Sequence, residues 1–313
     1  MIFLTVIVVL ALVQFWGSGA PLQKDGWFVM LQERLKTLPV VDGWPALHLA
    51  LSLAIPLLVL GLVIGLIGAL FSPFWAILVY VPVLLYSLGR GDFSADIKAY
   101  LVASRREDSV AAVTALDQLR GGAGHERDEL DSDDWPSLHA EALRVIGYRG
   151  FERMFAVIFW FFIFGPVGAL LYRLSVLYRE QEANTDLLLA RRWLWLVEWP
   201  AVRVLGLTWA LVGDFDLCIK RWQRSLTDFS STSMAVLATC LSGALGRAEQ
   251  PAAAGPETVP AQDDESEESE VDDEVPVGEP KPYSRTMIKV TQALFSRSLL
   301  LWVSLVALVT LLV

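Results

Sequence analysis

The sequence predicts an all-α, polytopic helical membrane protein with cytosolic helical segments and a disordered acidic linker. The chain has 313 residues, of which 54% are hydrophobic. Several of its apolar runs are long enough to cross a hydrocarbon core as helices. Its twelve tryptophans suit a protein with many membrane–water interfaces, where indole rings are favoured. We therefore expect function to lie in the polar segments between the apolar runs.

Residues 1–16 predict a short N-terminal membrane helix. The run lacks a basic start, and Pro21 directly follows the small residues 17–20, which disfavours cleavage there as a signal peptide. Residues 17–48 form a polar, amphipathic segment. Its apolar side chains recur at helical spacing: Trp27, Phe28, Leu31 and Leu35. We expect this segment to lie on the membrane surface or to pack on the polar part of the protein.

Residues 49–88 predict a transmembrane helical hairpin. An uncharged run at 49–70 is followed by a Phe-Ser-Pro turn, and residues 74–88 return. Gly61, Gly65 and Gly68 share one side of the first helix. They form either a small-residue face for close helix contact or a chance pattern in a span that tolerates glycine.

Residues 89–153 contain nine Lys and Arg residues and predict a cytoplasmic helical segment. The apolar spacing over 95–119 predicts one long helix there. A glycine-rich stretch, 121–124, then ends it. A second helix is predicted to start near Trp135, after acidic residues that suit the positive end of a helix dipole.

Residues 154–178 predict a transmembrane helix that is interrupted by Gly165 and Pro166. Proline removes a backbone donor and glycine adds no side chain, so a kink or a discontinuous helix is expected. Residues 179–247 form an amphipathic helical segment. Within it, 193–213 is long and apolar enough to be a further span, although it contains charged residues.

Residues 248–283 are rich in proline and acidic residues, and predict a disordered linker. From 249 to 279 there are twelve acidic residues and no Lys or Arg. The net charge of −10 therefore reflects this linker and says nothing about a basic ligand for the folded part. Residues 284–313 predict a C-terminal transmembrane helix with a basic flank at the membrane surface.

The distribution of basic residues predicts the orientation of the chain. Three, nine and thirteen Lys and Arg residues lie in 17–48, 89–153 and 173–297. The positive-inside bias places 89–153 in the cytoplasm. A single straight crossing at 154–172 would then place the most basic segment, 173–297, outside the cell, against this bias. Either 193–213 crosses back, which we favour, or 154–172 enters the membrane and returns at Gly165 and Pro166.

Signatures of catalysis are absent from the sequence, which has no phosphate-binding loop, dinucleotide fingerprint, zinc-protease motif or nucleophile elbow. Its two cysteines and three histidines have no metal-ligand spacing. We therefore expect no enzyme activity, no cofactor and no metal, and two unpaired cysteines that serve packing. Nothing in the sequence indicates a nucleic-acid partner.

Two polar constellations remain as candidate sites. The first contains Arg105, Arg106, Asp108 and Ser109. Adjacent guanidiniums bind phosphate or carboxylate groups through bidentate contacts, so an anionic small-molecule ligand is one interpretation. The other is a solvated helix face with local ion pairs.

The second constellation contains Glu198, Trp199 and Arg203, inside the apolar run 193–213. Charged groups at membrane depth are costly unless they are paired or face a cavity, so they suggest a functional site. The alternative is an interfacial helix whose charges face water. If the two constellations face one shared cavity near the membrane, we expect their charged groups to bind an anionic ligand or to hold two helical segments in register. Loss of Arg203 is then expected to leave Glu198 unpaired.

Three stretches of this sequence resemble the AmpE family, inner-membrane proteins associated with β-lactamase regulation in Gram-negative bacteria. They are YLVASRREDSVAAVTALDQL at 100–119, FGPVGALLYR at 164–173 and VEWPAVRVLGLTWALVG at 197–213. The order of hairpin, cytosolic helices, Gly-Pro span, amphipathic segment and terminal helix is also similar. The resemblance implies an inner-membrane signalling modulator of β-lactamase induction and of the response to β-lactam antibiotics. It also implies two partners, the lipid bilayer and a protein of that regulatory pathway.

A more distant resemblance is to the cobinamide-phosphate synthase family, called CobD or CbiB. That family has a Gly-Pro segment leading to Leu-Tyr-Arg and an Asn-Trp-x-Pro-x-Arg motif. The latter reads EWPAVR at 198–203 here, with the proline shifted by one position. The synthase stretch before the Gly-Pro span is rich in Glu and Asn, whereas 144–153 here is mostly basic. An ATP-dependent, amide-forming membrane enzyme is therefore the alternative function, and the signalling modulator is favoured.

Overall fold

The computed structural model describes residues 2–16, 24–39, 43–71, 73–89, 93–120, 134–180, 187–246 and 285–312. All regular secondary structure in these residues is helical, which confirms the predicted fold class. The helices are α1 (Ile2–Trp16), α2 (Gly26–Lys36), α3 (Pro45–Leu70), α4 (Ile77–Ser87), α5 (Phe93–Arg105), α6 (Ser109–Arg120), α7 (Trp135–Gly150), α8 (Ala156–Glu180), α9 (Leu187–Val212), α10 (Phe215–Thr227), α11 (Ser233–Ala244) and α12 (Arg285–Leu312). A short 3₁₀ turn, Pro73–Ala76, precedes α4, and a π-turn, Phe151–Phe155, joins α7 to α8. The predicted linker at 248–283 and the glycine stretch at 121–124 lie outside the described residues.

Among the described residues, four helical stretches are long and apolar enough to cross a membrane: Pro45–Leu70, Trp135–Glu180, Leu187–Val212 and Arg285–Leu308. Three shorter apolar stretches accompany them: Phe3–Val13, Phe74–Ser87 and Ser233–Ala244. By length and composition, this is a polytopic helical membrane protein.

The chain reverses direction inside α8, at Gly165. This residue has φ 63° and ψ −149°, a conformation open to glycine, and Pro166 lacks the N–H that would continue the helix. A Cβ on Gly168 would lie 2.2 Å from the carbonyl oxygen of Trp160. Arg179 reaches Glu152 at 3.0 Å, whereas 27 residues of straight α-helix would separate them by about 40 Å.

The two halves of α8 on either side of Gly165 therefore lie antiparallel, and we call them together the α8 hairpin. The single straight crossing expected over 154–172 is wrong. The second arrangement, in which that segment returns at the Gly-Pro pair, agrees with the reversal. A local helix-breaking pair thus reverses the direction of the chain within α8.

The single long helix expected over 95–119 is also wrong. α5 ends at Arg105 and α6 begins at Ser109, with Glu107 at φ 56° between them. The Asp108 carboxylate accepts a hydrogen bond from the backbone N–H of Ala111 at 2.9 Å, which caps α6. A short acidic side chain competes for backbone donors and favours a helix start over a helix interior.

Most buried apolar residues of the described chain form one core, to which α1 and α4 to α12 all contribute. A smaller apolar cluster lies where α2 and α3 pack on the returning half of α8. Helices α10 and α11 fold back along α9, so that a Cβ on Gly206 would lie 2.9 Å from Trp222 and 3.1 Å from Cys240. Trp302 of α12 donates its indole N–H to Thr208 on α9 at 3.0 Å. Cys218 and Cys240 are free and buried, as predicted.

The glycine side of α3 makes no close contact with the described residues. A Cβ at Gly61, Gly65 or Gly68 would meet no described atom within 4 Å. The interpretation of these glycines as a helix-contact face finds no partner in the described part of the chain.

Candidate functional site

Six polar side chains meet at the open end of the α8 hairpin, where α7 leads into it and α8 leaves it. We call them the base network: Tyr148, Arg149, Glu152, Tyr172, Arg179 and Glu198. They come from α7, the π-turn, α8 and α9. Five of the six residues are buried, and Arg179 is part-buried with a side chain that is 12% exposed.

Glu152 is the anionic centre of the base network. Arg149 donates to one of its oxygens at 2.5 Å, and Arg179 donates to the other at 3.0 Å. Buried charges of this kind are tolerated because each is paired and hydrogen-bonded. Glu152 lies in the π-turn, an irregularity that recurs at functional sites in helices.

Glu198 joins α9 to the base network through tyrosine hydroxyls. Tyr148 donates to its Oε1 at 2.9 Å, and Tyr172 donates to the same oxygen at 3.2 Å. The Tyr148 hydroxyl also accepts a hydrogen bond from Arg179 at 2.8 Å. A continuous chain of hydrogen bonds therefore runs from Glu198 through Tyr148 and Arg179 to Glu152.

Arg149 extends the base network to the end of α6. Its Nε donates to the carbonyl of Leu119 at 2.9 Å, and its Nη2 donates to the carbonyl of Arg120. These carbonyls lie at the negative end of the α6 dipole, where a guanidinium is favoured. Arg120 in turn pairs with Glu141 of α7 at 2.7 Å.

Arg153 fixes the hairpin base to the start of α5. It pairs with Asp96 at 3.3 Å, and its carbonyl accepts a hydrogen bond from the N–H of Gly89 at 2.8 Å. A Cβ at Gly89 would lie 2.3 Å from that of Arg153, so the chain between α4 and α5 crosses the hairpin base without room for a side chain. The base therefore lies at the end of the bundle where α5 begins and α6 ends.

A cavity of about 330 Å³ opens between α7 and α11 beside this polar region. Its lining includes Glu141 and Arg144 of α7 and Ser242 of α11. Glu141 accepts hydrogen bonds from Arg120 and pairs with Arg144 at 2.7 Å. Through Arg120 and Arg149, the cavity is one residue removed from the base network.

Within the second predicted constellation, Glu198 and Arg203 turn to different neighbours. Arg203 donates to the carbonyls of Ser225 and Asp228 at 3.0 and 3.2 Å, and its guanidinium lies 4.5 Å from the Trp199 ring. Trp199 stacks on Phe229 with ring centroids 5.9 Å apart. Arg203 thus closes the C-terminal end of α10, a position that favours a cation.

Two expectations for this constellation are therefore wrong. Loss of Arg203 does not leave Glu198 unpaired, because Glu198 has its own tyrosine partners. Nor do these charges face water, since Glu198 and Arg203 are 3% and 4% exposed. Beside Arg203, the serine hydroxyls of Ser230 and Ser231 hold the pKa of the Asp228 carboxyl well below its usual range.

The first predicted constellation lies on the surface. Arg105, Arg106 and Asp108 are exposed and Ser109 is half-buried. Among the described residues neither arginine has an ion-pair partner, and Asp108 serves as the cap of α6. No hydrogen bond or ion pair between described residues brings these side chains to Glu198 or Arg203. Their role in binding an anion stays a prediction.

Sequence reasoning named only Glu198 and missed five members of the base network: Tyr148, Arg149, Glu152, Tyr172 and Arg179. A signal was present in the spacing of Arg149 and Glu152, which are three residues apart and so share a helix face. The mostly basic character of 144–153 conceals this pair. Arg179 could not be added without the reversal at Gly165, which brings it back to Glu152.

Comparison with known proteins identifies relatives along most of the chain. The family model described as regulatory signalling modulator protein AmpE matches residues 1–253. Protein AmpE of Shigella flexneri is 25% identical over 185 residues, which cover 55% of this chain and 62% of that protein. The matched region thus spans less than two thirds of that relative. No solved structure matches this chain.

Proposed function

This chain belongs to the AmpE family of regulatory signalling modulators, and we propose that it modulates β-lactamase induction from the bacterial inner membrane. The single observation that carries the mechanism is the base network. It ties the end of α6, a polar helix, to the α8 hairpin and to α9 through buried hydrogen bonds. A change at either end has a physical route to the other.

In the proposed arrangement, residues 89–153 lie in the cytoplasm and the α8 hairpin enters the membrane from that side and returns. The nine basic residues of 89–153 favour the cytoplasmic face. The contact of Gly89 with Arg153 places the hairpin base beside the start of that segment. A reversed backbone at membrane depth is tolerated where protein packs around it, and Pro166 and Gly168 at the turn are buried.

The signal that we propose is an anionic small molecule in the cavity between α7 and α11, or a protein of the regulatory pathway that contacts this face. An anion beside Arg144 would compete with Glu141 for cationic partners. Glu141 also holds Arg120, whose carbonyl accepts from Arg149 of the base network. Occupancy of the cavity would thereby change how firmly α6 is held.

The cobinamide-phosphate synthase alternative has no support, because the matching family model and the curated relative both carry the AmpE name. The signalling role therefore remains the one proposal for this chain.

Two tyrosine variants test the proposal. Tyr148→Phe removes the hydroxyl that joins Arg179 to Glu198. Tyr100→Phe removes an equally buried hydroxyl, which bonds to His139 at 2.8 Å outside the base network. In a strain lacking its native copy, β-lactamase induction by a β-lactam is measured with each variant. We expect Tyr148→Phe to reduce induction and Tyr100→Phe to keep it, at equal amounts of membrane-inserted protein.

Full induction with Tyr148→Phe would show that the base network only supports the fold. An equal loss of induction with both variants would mean that loss of any buried hydroxyl impairs the protein. The proposed coupling through the base network would then be rejected.

A further inference from the structure

A long apolar groove runs between α2 and α3, away from the base network. Its volume is about 570 Å³. Nine of its ten lining residues are apolar, and the tenth is basic: Trp27, Met30, Leu31, Arg34, Ile55, Pro56, Val59, Leu60, Val63 and Leu170. Several of these side chains are open to the surroundings, with Met30 and Val59 being 58% and 57% exposed.

The groove is built from matching stripes on two helices. On α2 the lining residues are Trp27, Met30, Leu31 and Arg34, and their separations of three and four residues place them on one face of the helix. On α3 they extend from Ile55 to Val63, a rise of about 12 Å along the axis. One wall is therefore a strip of hydrocarbon at membrane depth, and the other wall ends in a guanidinium.

Polar contacts hold α2 in place, so the groove is preformed. Asp25, at the start of α2, accepts a hydrogen bond from Tyr86 at 3.0 Å and lies 3.6 Å from Arg173. Further along, the carbonyl of Gln32 meets the His48 ring at 3.2 Å, and that ring also bonds to Tyr178 at 2.9 Å. Contacts on both sides of the helix fix its distance from α3.

The charge at the end of the groove is available to a ligand. Arg34 is exposed, and no carboxylate among the described residues pairs with it. It lies in the last turn of α2 together with Lys36. The guanidinium of Arg34 can bind an oxyanion. The apolar lining beside it can bind a hydrocarbon chain.

We propose that this groove binds one acyl chain of an anionic phospholipid, with Arg34 contacting its phosphate group. His48, near the start of α3, lies next to Tyr178, close to the hairpin base. Because the His48 ring also bonds to Gln32, two residues before Arg34, the charged end of the groove lies toward the hairpin base. The basic segment 89–153 lies at the same end of the bundle. Basic groups at that level attract the anionic lipids of the cytoplasmic leaflet.

The site differs from ordinary lipid contact in two respects. Its concave shape places an acyl chain between two helices, which buries more methylene groups than a convex helix face does. Its terminal guanidinium selects for headgroup charge, which a purely apolar face does not. The proposal does not depend on the signalling role, and either one stands if the other fails.

The test uses the purified full-length chain in a neutral detergent. Retention of phosphatidylglycerol and of phosphatidylcholine with the same acyl chains is measured by native mass spectrometry. We expect wild type to retain phosphatidylglycerol about fivefold better, the effect of one basic residue at a membrane surface. Arg34→Gln should abolish that preference. Val59→Trp, which fills the groove, should lower retention of both lipids.

Arg297→Gln is the matched control, since Arg297 is an exposed arginine on α12, which lies outside the groove. It should keep the wild-type preference. The proposal is overturned if wild type shows no preference, if Arg34→Gln keeps it, or if Arg297→Gln loses it equally. Unchanged retention by a folded Val59→Trp would place the lipid elsewhere. If that variant does not fold, Arg34→Gln, at an exposed position, still decides.

Discussion

Two apolar helices of similar length, α3 and α9, behave in opposite ways. Both have 26 residues, yet only 17% of the apolar stretch of α3 is buried, against 56% of that of α9. Leucines of α3 are exposed, with Leu58 and Leu62 at 71% and 65%. α9 carries Glu198 and Arg203, both buried and both hydrogen-bonded. In this pair, the apolar helix that contains charged residues packs against protein. The apolar helix that lacks them exposes its side chains, as a helix that faces lipid does.

Glu152→Gln should give the largest loss of stability. The amide cannot balance Arg149 and Arg179, and removal of one partner from a buried ion pair costs about 3–5 kcal/mol. Thermal unfolding of the purified protein in detergent measures the effect. Glu33→Gln makes the same chemical change at an exposed position of α2 and should cost less than about 0.5 kcal/mol. Equal melting of the two variants would show that the base network is not a stabilising centre.

Gly165→Ala should have the next largest effect. The backbone conformation at Gly165 is strained for any residue with a Cβ, at a cost of roughly 1–3 kcal/mol. Gly61→Ala makes the same substitution on α3, where a Cβ would meet no described atom within 4 Å. A helical alanine there should stabilise by about 0.5–1 kcal/mol. Opposite shifts in melting temperature would support the reversal, and equal shifts would argue for a continuous helix.

Arg203→Ala should have a moderate effect that is independent of Glu198. It removes a cation from the end of α10 and a cation–π contact with Trp199, together worth roughly 1–2 kcal/mol. The double variant with Tyr148→Phe should lose the sum of the two single losses, because the two residues share no partner. Strong non-additivity would mean that Glu198 and Arg203 act as one unit after all.

Arg106→Ala should have the smallest effect on stability. Arg106 is exposed and has no ion-pair partner among the described residues, so the loss of unfolding free energy should stay below about 0.5 kcal/mol. β-Lactamase induction at unchanged protein level then tests its predicted role in binding an anion. Normal induction would leave the first constellation as a solvated surface.

Local sequence signals predicted the helical class and the break at Gly165 and Pro166, because each depends on residues close together in the chain. The break between α5 and α6 was not predicted, because the helical spacing of apolar residues continues past Asp108 and conceals the helix cap there. The base network escaped for a different reason. Arg149 bonds to carbonyls 29 and 30 residues away, and Arg179 returns to Glu152 only through the hairpin.

Buried charge also misled the interpretation of α9. Glu198 and Arg203 lie five residues apart in sequence, whereas the partners of each lie on other helices. Tyrosine hydroxyls and backbone carbonyls are the partners here. Neither type of partner leaves a charge pattern that a sequence can show.

Hydrogen–deuterium exchange on Arg179→Gln measures whether the base network couples α6 to the α8 hairpin. Arg179 binds Glu152 and Tyr148, whereas Arg149 is the residue that holds the end of α6. We expect faster exchange in the last turn of α6, with exchange in α10 unchanged as the internal reference. Faster exchange in α8 alone, with α6 as protected as in wild type, would contradict this coupling.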